Sequence, residues 1–133
     1  MALDPNSADA HVWMGKTLAF AGRHEEAIPE YKIAIRLNPI TPSYYMWSLG
    51  LSYARTGQYD EGIAWCEKAV HMEPDSLMAR IMMTVVYSVS GRDEEARAEA
   101  AEVLRINPNF SLEKFAERAG PWLIRELRKA GLK

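Results

Sequence analysis

The sequence predicts an all-helical protein built as a stack of helical hairpins, and two observations predict it. Aligning Gly22, Gly57 and Gly91 brings Ala27 into register with Gly62 and Ala96, Pro39 with Pro74 and Pro108, and Gly15 with Gly50 and Thr84. The offsets are 35 and then 34 residues, and a fixed period of this size marks a stacked array. On either side of each aligned glycine lies an amphipathic pattern of helical period, with the glycine where a helix must end in a left-handed residue. Each period is therefore one hairpin.

The first helices are expected over about 8–21, 43–56 and 77–90, and the second over about 23–37, 58–72 and 92–106. Asn38-Pro39, Glu73-Pro74 and Asn107-Pro108 end the second helices, because proline disfavours helical geometry in the residue before it and donates nothing to the helix ladder. Pro29 falls inside the second helix of the first unit, where it is expected to kink or loosen it. After Pro108 the period stops. Ser111 is placed to cap a helix over 111–119 that closes the stack, Gly120 ends it, and Pro121 opens a tail helix through about Ala130. Residues 2–7, ALDPNS, align with RLNPIT at the end of the first unit. They are expected to be the tail of a preceding unit, the alternative being an amino terminus that supplies Asp and Asn as turn residues.

These residues resemble the tetratricopeptide repeat family, whose unit of about 34 residues is a helix–turn–helix. The middle unit carries the pattern in Leu49-Gly50, Tyr53, Gly57, Tyr59, Ile63, Ala69 and Pro74. The first unit carries it in Met14-Gly15, Leu18, Gly22, Ala27, Tyr31, Ala34 and Pro39. The family's usual early tryptophan is replaced by His11, Met46 and Arg80, and Thr84 and Val103 replace small residues, so the third unit is expected to pack less ideally. The division is then 1–7 as the remnant of a repeat, 8–41, 42–76 and 77–110 as three repeats, and 111–133 as capping and tail helices. The resemblance implies a right-handed superhelical stack with the first helices on its concave side. The tail from NPNFSLEKFAERAG to LIRELRKAGL also resembles tails that follow repeat blocks in bacterial multidomain regulators, including some adenylate and guanylate cyclases.

Composition narrows the function classes. The chain has 133 residues, enough to bury roughly two thirds of its unfolded surface, and a formal charge of −2. That balance argues against a nucleic-acid partner, which requires a basic excess. No apolar run approaches the roughly 20 residues that span a bilayer, and the first residues lack a signal pattern, so membrane insertion is not expected and a cytoplasmic location is. Cys66 is the only cysteine and reads as a small core residue. His11, His24 and His71 share no helix face at ligand spacing, so no metal or other cofactor is expected. The pairs Glu25-Glu26, Asp60-Glu61 and Glu94-Glu95 recur at the start of each second helix, where they oppose the positive helix end; catalytic carboxylates would not occur three times over. Asn109-Phe110-Ser111 reads as a turn and a cap, and Arg125, Arg128, Lys129 and Lys133 as a solvated basic face favouring the negative end of their own helix. No enzyme activity is expected.

What remains is a binding face. The residues of the first helices that point away from the second include Val12, Trp13, Lys16 and Phe20; Tyr44, Trp47, Leu51 and Arg55; and Met78, Met82 and Val85. In the family the chain resembles, members that grip acidic chaperone tails use lysines, asparagines and an arginine on this face. The residues in line with that clamp are Val12, Lys16, Ser48, Met78 and Met82, and four of the five differ in kind. The expected partner is therefore an apolar peptide or helix from another protein, held in the concave groove. The alternatives are self-association as a homo-oligomer and service as a regulatory or assembly segment of a larger bacterial enzyme such as a nucleotide cyclase. The apolar area calls for a cover, and the chain's own 121–130 helix is one candidate.

Overall fold

The computed structural model describes residues 7–133, so the expected repeat remnant lies, apart from Ser7, outside the described residues. Three hairpins follow one another: α1 (Ala8–Phe20) with α2 (His24–Leu37), α3 (Ser43–Arg55) with α4 (Tyr59–Met72), and α5 (Leu77–Val89) with α6 (Asp93–Ile106). They are followed by α7 (Leu112–Phe115) and α8 (Pro121–Lys129). Hairpins stack through α2 on α3 and α4 on α5, and among the first helices α3 also packs on α5.

The same device turns the chain between the helices of each pair. Gly22, Gly57 and Gly91 have φ of 78°, 83° and 81°, a region that costs other residues strain. The next residue's N–H then reaches back over the last turn, Arg23 to the Leu18 carbonyl, Gln58 to Tyr53 and Arg92 to Tyr87, each at 2.9 Å. Ser7, Ser76 and Ser111 cap α1, α5 and α7 by accepting from the N–H three residues on. The acidic pairs lie in the first turns of α2, α4 and α6, against the positive helix ends.

The small residues set how closely the paired helices approach. A Cβ on Gly50 would stand 2.6 Å from the Cys66 Sγ and 2.8 Å from the Gly62 carbonyl oxygen, so α3 and α4 meet nearly backbone to backbone. In the third hairpin Thr84 and Val103 are fully buried, and the Thr84 hydroxyl donates to the Arg80 carbonyl at 2.8 Å. The larger residues there fill the space that glycine and alanine leave elsewhere.

α2 runs as one helix through Pro29, and the bond the proline forfeits is to the Glu25 carbonyl, in an exposed first turn that water can reach. One expectation changes. The expected helix over 111–119 is a single turn, α7, and the larger share of the covering falls to α8. That helix lies across α5, burying Ile124, Leu127, Ala130 and Leu132 in one cluster with Ile81, Met82, Val85 and Val86. The carboxyl end is fixed where the Leu112 N–H donates to the Lys133 carbonyl at 2.9 Å.

Candidate partner-binding groove

The α8 helix divides the surface formed by the first helices into a covered part and an open part. Over α5 the cover is anchored by Ser88, whose hydroxyl donates to the Glu126 carboxylate at 2.8 Å, both residues being buried. Lys129, 3.3 Å from the same carboxylate, balances its charge. Met82 and Val85, expected in the groove, are therefore core residues under α8, at 3% and 0% exposure. Val12 is likewise buried, in a cluster with Ala34 and Tyr45 where α1 and α2 meet α3. These three have no surface for a partner, because each faces a third helix rather than solvent.

The open part is a cavity of about 540 Å³ between the carboxyl-terminal halves of α1 and α3 and the first turn of α8. Phe20, Trp47, Leu51, Trp122 and Leu123 supply its apolar walls, and Ser48, Ser52 and Tyr31 reach its floor. Trp47 and Leu51 are half-buried against the core, whereas Phe20 is 92% exposed. Lys16, Phe20, Trp47, Leu51 and Arg55 thus line one cavity. Tyr44 and Met78 are half-buried outside the cavity, and Trp13 lies on the outer edge of α1, away from it.

Lys16, His24 and Arg55 line the cavity, and among the described residues no carboxylate does. Lys16 and Arg55 lie over aromatic rings, Lys16 Nζ 5.3 Å from the Tyr44 centroid and the Arg55 guanidinium carbon 4.1 Å from the Trp122 centroid. His24 Nδ1 lies 3.1 Å from the Ser52 hydroxyl. Partial burial, and secondarily the Arg55 charge, hold the imidazole below its usual pKa, so it favours the neutral form. Sequence reasoning missed His24, Trp122 and Leu123. The apolar stripe of α8 was visible in the sequence, but which face it would reach was not.

Cys66 is fully buried with its pKa driven far up by burial, so it holds no ready thiolate. Among the described residues no group of three or more histidine, cysteine or carboxylate side chains is placed to hold a metal ion, and no helix is long and apolar enough to cross a membrane.

Two family models described as tetratricopeptide repeat match residues 14–76 and 53–113. Among curated proteins, the chain is 25% identical over 101 residues to superkiller complex protein 3 of Homo sapiens, a stretch covering 74% of this chain and 6% of that protein. It is 24% identical over 106 residues to photosystem I assembly protein Ycf3 of Acaryochloris marina (strain MBIC 11017), covering 77% of this chain and 64% of that one. The chain thus spans less than two thirds of either relative. Among solved structures, the first TPR of Spaghetti (RPAP3) bound to the HSP90 peptide SRMEEVD superposes with a TM-score of 0.73 at 21% identity, over 96% of this chain and 93% of that one. At that identity the likeness is one of fold.

Proposed function

The chain belongs to the tetratricopeptide repeat family, and from that premise we propose that it is a noncatalytic interaction module that takes an apolar peptide or helix from a protein partner into the α1–α3–α8 cavity. The observation that carries this reading is the cavity itself, with two tryptophans and two leucines converging on about 540 Å³ of open space. Large aromatic walls supply contact area at low cost in side-chain entropy, and such residues dominate interface energetics. The basic groups at the rim favour a ligand whose flanks are neutral or acidic.

The fold neighbour holding SRMEEVD offers a contrast. Of the residues here in line with the family's carboxylate clamp, Val12, Ser48 and Met82 are buried and Met78 is half-buried and apolar. An acidic chaperone tail is therefore the control that should fail to bind.

Selection of a displayed random-peptide library on the intact protein, followed by titration of the enriched peptides, tests the reading. Enriched sequences should carry aromatic or aliphatic anchors. Trp47→Ala should weaken their binding by about 1–2 kcal/mol while leaving the helical signal intact. Unchanged affinity in both Trp47→Ala and Leu51→Ala would remove the cavity from the site.

A further inference from the structure

At the carboxyl end of α3 the cavity changes character. His24 and Arg55 line both the apolar cavity and a second hollow, of about 390 Å³, beside the turn between α1 and α2. Arg23, Glu25, Glu26 and Thr56 complete the sides of that hollow. Along α3 the succession is Trp47, Leu51, Arg55, each a turn beyond the last, so the lining passes from apolar to cationic within about 12 Å.

Both shared side chains hold unused hydrogen-bonding capacity. Arg55 rests over the Trp122 ring and, among the described residues, neither donates a side-chain hydrogen bond nor joins an ion pair. Its guanidinium fork is thus positioned by a ring and open at its N–H groups. His24 commits Nδ1 to the Ser52 hydroxyl, 3.1 Å away. No buried side-chain nitrogen or oxygen of the described residues lacks a partner, so Nε2, which has none there, opens to solvent. The carboxylates nearby leave this pair unquenched. Glu26 accepts from Arg23 at 2.7 Å, and Glu25 is exposed, where water and salt screen it. Lys16 adds a third cation from α1, and α8 brings no charge to the lining.

Taking as premise that the cavity holds the peptide, we propose that this peptide carries an aspartate or glutamate side chain on one flank, seated between Arg55 and His24. A carboxylate can accept from the guanidinium fork and from a protonated imidazole at once. The seat lies about two turns beyond Ser48, the α3 residue in line with the carboxylate clamp, so it is a different place on the groove. Arg55 stands about 6–12 Å along the helix from Leu51 and Trp47, which in an extended segment puts the acid roughly two to four residues from the apolar anchor.

Seating an anion there also draws in a proton. Burial, and then the Arg55 charge, hold the imidazole of the free chain below its usual pKa. A carboxylate between the two groups offsets that charge and favours imidazolium. The complex then binds more protons than the free chain, so affinity should rise as pH falls from about 7.5 to about 5.5, where the peptide's acid is still ionised.

Peptides returned by the displayed library test this, synthesised with amidated ends so that only a side chain supplies the carboxylate. Each is paired with a version in which glutamine or asparagine replaces the acid. On the unaltered chain the acidic member should bind about tenfold tighter. Its affinity should gain roughly threefold between about pH 7.5 and about pH 5.5, and the neutral member's should not. Arg55→Met should remove most of the preference for the acid, and His24→Gln should remove its pH dependence. Because Arg55 also touches Trp122, the pair measured on the unaltered chain, which needs no variant, is the deciding comparison. Apolar anchors without an acid at that spacing, or equal affinity of the two members, overturn the acidic seat and leave the apolar cavity standing. A preference that survives both Arg55→Met and His24→Gln overturns its placement between these residues. A library that enriches no apolar anchor instead removes the cavity reading, and the seat with it.

Discussion

The guanidinium of Arg55 lies over the indole of Trp122, 4.1 Å from the ring centroid, and so ties the last turn of α3 to the first turn of α8. This contact spans two walls of the cavity. Arg55 is exposed, which places the interaction toward the lower part of the cation–π range. A double-mutant cycle with Arg55→Met and Trp122→Leu, read by urea unfolding, should give a coupling of about 0.5–1 kcal/mol. Strict additivity would mean that the stacking contributes nothing.

The close approach of α3 and α4 yields a sharper contrast. Gly50→Ala places a methyl group 2.6 Å from the Cys66 sulfur and 2.8 Å from the Gly62 backbone oxygen, and the oxygen cannot retreat without moving α4. Overpacking of this kind costs about 1–3 kcal/mol. Gly120→Ala meets nothing within 4 Å and keeps a φ of −72°, so its effect should stay within about 0.5 kcal/mol. Equal losses in the two variants would reject the packing account.

His24 makes stability depend on mildly acidic pH. Desolvation, with a smaller contribution from Arg55, lowers its folded pKa below the ordinary 6.5, so between the two values the unfolded chain binds more protons. The contribution is therefore present above 6.5 and is lost as pH falls through the folded value. His24→Gln should lessen the drop in thermal midpoint between about pH 7.5 and about pH 5.5 relative to the unaltered chain. An identical drop in the two proteins would assign the acid sensitivity elsewhere.

The hairpins were legible because their determinants are local. A glycine at the turn, a proline after the second helix and a small residue at the crossing each act within one period, and each lies where the spacing placed it. Part of the cavity lining was legible for the same reason: Lys16, Phe20, Trp47, Leu51 and Arg55 follow from one helix face. Val12, Met82 and Val85 did not, since helical spacing says which residues point away from a partner helix but not whether another helix meets them there. For Met82 and Val85 that helix is α8, whose hydrogen bond from Ser88 spans 38 residues of sequence. No repeat period encodes a contact of that range.

The burial of Leu132, at 2% exposure and in the same cluster as Ile81 and Val85, also orders events during synthesis. The first two hairpins can stack on each other as soon as α4 has emerged, because α2 packs on α3. The third cannot shed water from the inner face of α5 until α8 and the two residues beyond Gly131 have left the ribosome. A ribosome stalled before Pro121 would therefore display Ile81, Met82 and Val85 together, a greasy strip of the kind that chaperones and proteases recognise. Emergence of residues 121–133 is what withdraws it.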